Sequence, residues 1–423
     1  MRIKSRNIVK DISFVILVSL ALRILPILFG SPAASDMVFF RTHAVTILNN
    51  QNIYSVARGA FPYTPLSMFI PALCLLLSSS LSIPFHVVMK IPALMGDIAL
   101  SIAIYYWIIR AKGDKSIAFK GAIAYAINPL VILISAFQGN MMSLPTLFTF
   151  LAVMMIVYDH DKNYRLSALL LGLAIAFRGY PVLLLPLILL KSELSVTKKI
   201  KYIAYAVIPT LITFIPFLWL DRRSVIREIF GYCGDNEYGY AAIERALSLY
   251  SYAYRHGFDL INGTAQIHLG YLAKAINSIP PNNFILQLLQ HSKVIFLSVY
   301  VMILIQYKRF SLLKLALTTY LGFYFFYGGA ASQYFIWIVP FFYFLDDRFS
   351  GWYIILGTYA VISVYMCYKP FTLFGRLPIC SYPAMTKILL NEFIALFSFW
   401  SLCGIWFFTI LFKKKRVAIN DDI

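Results

Sequence analysis

The feature that most constrains this chain is a rhythm. Apolar runs of about 17–25 residues, the length that crosses a hydrocarbon layer as a helix, recur from end to end, and short stretches rich in Lys and Arg separate them. Of the 423 residues 60% are hydrophobic and 13% charged, whereas about a quarter of a soluble domain is charged. One water-soluble core cannot hide so much apolar surface, so lipid must cover part of it. The expected fold is all-α: a polytopic transmembrane bundle of about 12 spans in which every backbone group is satisfied within its own helix. It forms a single membrane domain over 1–423. Spans are expected near 12–29, 87–109, 117–136, 142–158, 165–178, 180–190, 202–220, 292–307, 312–328, 334–345, 352–368 and 393–412. Gly179 and Pro181 interrupt the 165–190 region, which also reads as one broken helix.

A net charge of +19 suggests nucleic acid until its distribution is read. The basic residues sit between apolar runs, as they do in cytoplasmic loops, so membrane lipids are the expected partners and nucleic acid is not. With the N-terminus inside, the inner segments hold most of the 37 basic residues. They include Arg110, Lys112, Lys115, Lys198, Lys199, Lys308, Arg309 and the tail 413–416. Both termini are then cytoplasmic. The basic N-terminus followed by an apolar run also fits a cleavable signal peptide, but an uncleaved first span is preferred in a polytopic chain.

The charge count decides one ambiguous segment. If residues 65–83 crossed once, every later basic cluster would lie outside. The segment is therefore expected to lie at the outer interface or to dip in and back, with Pro65, Pro71 and Ser78–Ser80 suiting a broken element. Two large external loops with interfacial helices result, about 30–86 and about 221–291. The five cysteines are scattered and form no CxxC pair, which argues against a disulfide framework. One bridge, between Cys367 and Cys380, stays open.

Asp36 is the only acidic residue between Asp11 and Asp97. A carboxylate at a membrane surface beside Phe39 and Phe40 is partly desolvated, the condition that makes a competent general base; a solvated loop Asp or a helix cap is the plain alternative. Tyr54 and Tyr63 give the same loop an aromatic surface suited to sugar rings or headgroups, or equally to an interfacial belt. Lys90 and Asp97 are ionisable residues within an expected span, a functional signal by default, although Asp97 also suits a helix-to-helix bond. Gln138, Gly139 and Asn140 place amides at an outer rim. Arg178, between apolar runs, suits a phosphate that its guanidinium can grip in bidentate fashion. Gln333 and Tyr334 open a span on the outer side, and the second loop adds Asp235, Glu237, Glu244, Arg245 and Arg255. There is no Walker A motif and no HExxH, and the His spacing suits no metal. No cofactor or divalent metal is indicated.

Taken in order, these segments resemble the GT-C superfamily of integral-membrane glycosyltransferases. The shared outline is Asp36 after the first span, Gln51–Tyr54 and Tyr63–Pro65, Asp97 in a span, Asn128-Pro129, Arg178–Pro181, and Gln333-Tyr334 running through Trp337 to Pro340. The closest likeness is to mannosyltransferases that use polyprenyl-phosphate sugars. Two departures stand out: Gly139-Asn140-Met141-Met142 lacks an Asp common in that element, and Arg178 stands where Lys is commoner. The resemblance implies transfer of a sugar, mannose above all, from a polyprenyl-phosphate donor to a lipid or glycan acceptor on the external or luminal side, with inversion. It implies Asp36 as base, Arg178, Lys90 and Arg245 at the donor phosphate, and Tyr54, Tyr63, Asp97, Gln138, Gln333 and Tyr334 around the sugars. The membrane would be a bacterial or archaeal plasma membrane or the endoplasmic reticulum, and a partner subunit stays open. The rival readings are a transporter or flippase of lipid-linked sugars, and an O-antigen polymerase or ligase-like enzyme.

Overall fold

The computed structural model describes residues 5–31, 35–57, 61, 63–159, 162–231, 237–260, 266–268, 283–345, 347–367 and 379–412. It is helical almost throughout. In chain order the helices are α1 (Ser5–Phe29), α2 (Ser35–Leu48), α3 (Ile53–Ala57), α4 (Leu66–Leu81), α5 (Phe85–Val88), α6 (Ile91–Lys112), α7 (Lys115–Ala126) and α8 (Pro129–Ile132). There follow α9 (Ser143–Asp159), α10 (Tyr164–Phe177), α11 (Leu184–Lys191), α12 (Val196–Gly231), α13 (Tyr240–Leu260), α14 (Asn283–Ile305), α15 (Leu312–Phe326), α16 (Phe349–Cys367) and α17 (Tyr382–Phe412). Two three-residue strands, β1 (Gln266–His268) and β2 (Ile379–Ser381), pair antiparallel.

Six helices are long and apolar enough to cross a membrane: Ile8–Phe29, Phe85–Lys112, Val196–Gly231, Gln287–Ile305, Phe349–Cys367 and Ala384–Phe412. They mark a membrane protein, and they match six of the expected spans. A seventh crossing arises if Lys115–Ala126 and Pro129–Phe137, bent by 40°, count as one. The bend has a local cause. Asn128 accepts hydrogen bonds from the Leu130 and Val131 amides and Pro129 takes the first helical position, which starts a new helix. The expected spans 142–158, 165–178, 180–190 and 312–328 fall on shorter apolar helices, and 334–345 falls on a 3-10 helix, Ser332–Phe344. By length alone, then, the described residues supply six or seven crossings.

The lipid-facing character is visible on the long helices. Leu25, Ile212, Trp219 and Ile305 are exposed, as side chains covered by acyl chains rather than protein would be. Helix-to-helix contacts use small residues instead. A Cβ on Gly172 would sit 2.5 Å from the Ala206 carbonyl, so the glycine lets α10 and α12 touch backbone to backbone.

Two apolar cores form. The larger gathers α6, α7, α9, α10, the 3-10 helix, α16 and α17 around Tyr125, Phe335, Tyr353 and Trp406. The smaller joins Met37, Phe40, Tyr54, Phe61, Met68 and Met89 to Phe217 and Val225. The region 30–86 is therefore a packed unit with its own core, not an open loop. Within it α4 buries Met68, Ala72 and Cys74 on one side and exposes Leu73, Leu76, Leu77 and Leu81 on the other. At 16 residues α4 is shorter than a span.

α12 runs on past the expected span end at 220. Its backbone leaves helical geometry at Asp221 (φ −157°, ψ 80°), and beyond that point it holds the first unit. Ser55 donates to Asp221 at 2.7 Å, the Phe61 amide donates to the buried Glu228 at 3.3 Å, and Arg227 donates to the Tyr54 carbonyl at 3.4 Å. The two regions read as separate loops thus meet. Cys367 is a buried thiol that donates to the Ile388 carbonyl, so the bridge to Cys380 is not formed. Cys233 and the Cys380 side chain lie outside the described residues.

Candidate functional site

Asp36 lies in the first turn of α2, where the exposed amides of a helix start favour a carboxylate. The side chain is half-buried. Its Oδ2 accepts from Gln138 Nε2 at 2.8 Å and from Asn140 Nδ2 at 2.7 Å. The Tyr365 hydroxyl donates to Gln138 Oε1, and this fixes which end of the Gln138 amide faces Asp36. The rim amides therefore meet the carboxylate. Gly139 sits between them at φ +80°, where a Cβ would lie 2.5 Å from Met37 and 3.0 Å from Lys90. Only glycine tolerates both the conformation and the closeness.

The Gln138–Asn140 turn is stapled from below. Ser135, in the π-helical turn Leu133–Phe137, donates to Asp97 Oδ2, and Ser143, at the start of α9, donates to Asp97 Oδ1. Arg23 completes the knot with a 2.8 Å ion pair to Asp97 Oδ2 and a 2.7 Å bond to the Ala126 carbonyl. Both charged side chains are wholly buried. Asp97, expected near the sugars, is thus engaged by three protein donors. It holds both ends of the turn that carries Gln138 and Asn140. Arg23 is not among the residues the sequence analysis singles out, because it lies inside the otherwise apolar first run. A lone Arg in that apolar run was the signal, since such a residue is rarely without a partner.

Lys90 is also fully buried, and Nζ donates to the Pro26 carbonyl at 3.0 Å. It closes the C-terminal end of α1, where orphan carbonyls attract a cation. A second, longer contact runs from Nζ to the Ile27 carbonyl at 3.5 Å. Arg245 pairs through Nη2 with Glu392 at 2.9 Å. Tyr54 is buried with its hydroxyl donated to the Tyr63 carbonyl at 2.8 Å. It sets the Tyr63 backbone and presents no free face to a sugar. The cause is the same for these three residues and Asp97: the fold found protein partners for polar groups that sequence alone left unassigned.

Arg178 differs. It ends α10 in an extended conformation (φ −153°, ψ 136°), so the break in 165–190 falls one residue before Gly179. The side chain is 5% exposed, its Cζ lies 3.6 Å from the centre of the Tyr63 ring, and neither Nη1 nor Nη2 has a hydrogen-bond partner. Tyr63 packs edge-on against Phe39 at 5.5 Å, one helical turn from Asp36. On the other side Tyr180 stacks on Trp337 at 3.6 Å and shares a bond with Thr146. Trp337 in turn stacks on Tyr334 at 4.4 Å. Gln333 lies in the same 3-10 helix, buried with Oε1 unpartnered, as is Trp337 Nε1. Ring contacts thus join Phe39, Tyr63 and Arg178 on one side and Tyr180, Trp337 and Tyr334 on the other, with Asp36 and Gln333 set beside them along the backbone and Arg178 two residues before Tyr180. Glu237 accepts from the Ser332 amide and hydroxyl beside Gln333. Asp235 and the Arg255 side chain lie outside the described residues.

Beside the first of these groups His43 lies between Phe39, 4.1 Å away, and Phe61, 5.2 Å away, with Nδ1 bonded to the Phe39 carbonyl. Burial holds its pKa below the ordinary value of 6.5. Among the described residues no group of three or more His, Cys, Asp or Glu gathers to hold a metal. No protein-family model matches the chain, and no curated protein matches it.

Proposed function

We propose that this chain is a GT-C-type glycosyltransferase that moves a sugar, mannose first among candidates, from a polyprenyl-phosphate donor to a lipid or glycan acceptor. The observation that carries the reading is Arg178. A guanidinium that is almost wholly buried, with two nitrogens unpartnered, is costly unless an anion completes it. A phosphate has the charge and the fork-shaped geometry to do so. The shorter apolar helices and the 3-10 helix would then cross beside the six long ones to give about 12 crossings. The first unit and the α12 extension would share the external or luminal face.

The chemistry follows from that arrangement. The acceptor oxygen forms a bond to the anomeric carbon as its proton passes to Asp36. The bond from that carbon to the donor phosphate oxygen breaks on the opposite face, so configuration inverts. The electron pair stays on the phosphate, where Arg178 meets the added charge. Gln138 and Asn140 keep Asp36 aimed, and Gln333 and Trp337 hold unpartnered polar atoms for ligand hydroxyls.

The buried Arg23–Asp97 pair favours the transporter reading, since charge within a bundle marks many transport paths. Yet Asp97 is engaged by Arg23, Ser135 and Ser143 in a packed core, which describes a staple better than a path. Turnover by purified protein, with labelled polyprenyl-phosphate mannose and native lipid extracts as acceptor, separates the readings. Transfer that Arg178→Ala abolishes supports the enzyme. Uphill or facilitated movement of lipid-linked sugar without transfer overturns it.

A further inference from the structure

A cleft of about 430 Å³ opens between α2, α4 and α5 and is lined by Met37, Val38, Arg41, Thr42, Leu75, Ser78, Ser79, Phe85 and His86. Its size suits a small headgroup rather than a whole lipid. Its polar lining holds two kinds of group. Arg41 supplies the cation, and His86 adds an imidazole. Arg41 is exposed and has no hydrogen bond, ion pair or ring contact among the described residues.

The three hydroxyls behave differently. Thr42 donates to the Val38 carbonyl, Ser78 to Ile83 and Ser79 to Leu75. Their protons are spent on backbone, so they offer lone pairs to an occupant. The cleft therefore asks for a ligand with an anion for Arg41 and its own hydroxyl or ammonium donors for Thr42, Ser78 and Ser79. Apolar side chains accompany them: Val38 in the lining is 54% exposed, and outside the lining Leu76 and Leu81, on the same helix as Ser78, are 50% and 61% exposed. A soluble anion gains nothing from these apolar side chains, whereas an acyl or prenyl chain does.

We infer that the α2–α4 cleft binds the headgroup of an anionic membrane lipid whose phosphate meets Arg41 and whose head carries hydroxyl donors, its chain lying along the exposed leucines of α4. This site is separate from the proposed transfer reaction and stands without it. Met37, next to Asp36, forms one wall, so an occupant also braces the start of α2.

The test is lipid retention by the full-length protein in native mass spectrometry, with thermal unfolding in nanodiscs as a second reading. Phosphatidylglycerol has the phosphate and the hydroxyls, phosphatidic acid has the phosphate without them, and phosphatidylcholine has neither net charge nor donors. The expected order of retention is phosphatidylglycerol, phosphatidic acid, phosphatidylcholine. Arg41→Ala should lower phosphatidylglycerol retention about tenfold, the loss of one charge-assisted contact. Thr42→Val should bring phosphatidylglycerol down to the level of phosphatidic acid. Arg348→Ala, an equal loss of charge elsewhere, should leave both unchanged. Equal retention of the three lipids, or equal losses in Arg41→Ala and Arg348→Ala, overturns the inference. So does saturation by free glycerol phosphate as readily as by the lipid, which would make the apolar side chains irrelevant.

Discussion

The Arg178 guanidinium lies face-on over the Tyr63 ring at 3.6 Å, and the two residues come from regions 115 positions apart in the sequence. The ring neutralises part of the cost of burying the charge without occupying the guanidinium nitrogens. Arg23, by contrast, spends Nε on Asp97 and Nη1 on the Ser19 and Ala126 carbonyls, and leaves only Nη2 without a hydrogen-bond partner.

Arg178 should therefore trade stability for activity. Arg178→Met removes a buried cation and keeps its apolar bulk, so the melting temperature should hold or rise. Transfer should fall by about 10²–10³ in kcat, the typical loss of a group that meets developing charge. Arg178→Lys keeps the charge but loses the fork, and should fall between the two. Thermal unfolding and turnover measured on the same preparations check both halves. A lower melting temperature with unchanged turnover would make Arg178 a structural residue.

Asp36 and its staple can be separated. Asp36→Asn should reduce kcat by about 10²–10⁴, the usual worth of a positioned base. Ser135→Ala with Ser143→Ala leaves every group of the site in place but frees both ends of the Gln138–Asn140 turn. Here kcat should fall by about tenfold with KM within about twofold, because the fault is in aim rather than in binding. If Asp36→Asn keeps full turnover, Asp36 is not the base. If Asp36→Asn is inactive and the double serine variant is normal, the staple has no part in aiming it.

How much of this was legible in the sequence follows from what each residue's partner is. The long helices were legible because lipid demands continuous apolar runs, and 12–29 and 202–220 carry that demand locally. The short helices were legible as segments, but their number of crossings depends on how they combine in space. Asp36 and Arg178 stood out as lone charges. The roles of Lys90, Asp97, Tyr54 and Arg245 did not, because Pro26, Arg23, Tyr63 and Glu392 lie 64, 74, 9 and 147 positions away. No local pattern encodes such pairings.

The Arg23–Asp97 pair yields a stability prediction of opposite sign to that for Arg178. Asp97→Ala leaves a buried cation without its partner and should cost about 3–5 kcal/mol. Arg23→Met with Asp97→Leu removes both charges together and should be milder than either single change. A thermal double-mutant cycle measures the coupling. If the effects simply add, the pair is not a unit and the staple under Gln138–Asn140 is weaker than its geometry implies.

His43 gives a pH dependence whose direction is fixed. Burial between Phe39 and Phe61 lowers its folded pKa below 6.5. Between that lowered value and 6.5 the unfolded chain binds a proton that the folded chain refuses. Stability must therefore rise with pH across this window. The contribution is fully present above 6.5 and is lost as the pH falls below it. His43→Phe keeps an aromatic ring between the same neighbours and titrates nothing, so its melting temperature should fall less than that of the parent between pH 7 and pH 5. Because Phe39 also packs on Tyr63, the same acidification should weaken the seat of Arg178 and lower turnover in the parent more than in His43→Phe. Parallel pH curves for the two proteins would remove His43 from the account, and with it the link from Phe39 through Tyr63 to Arg178.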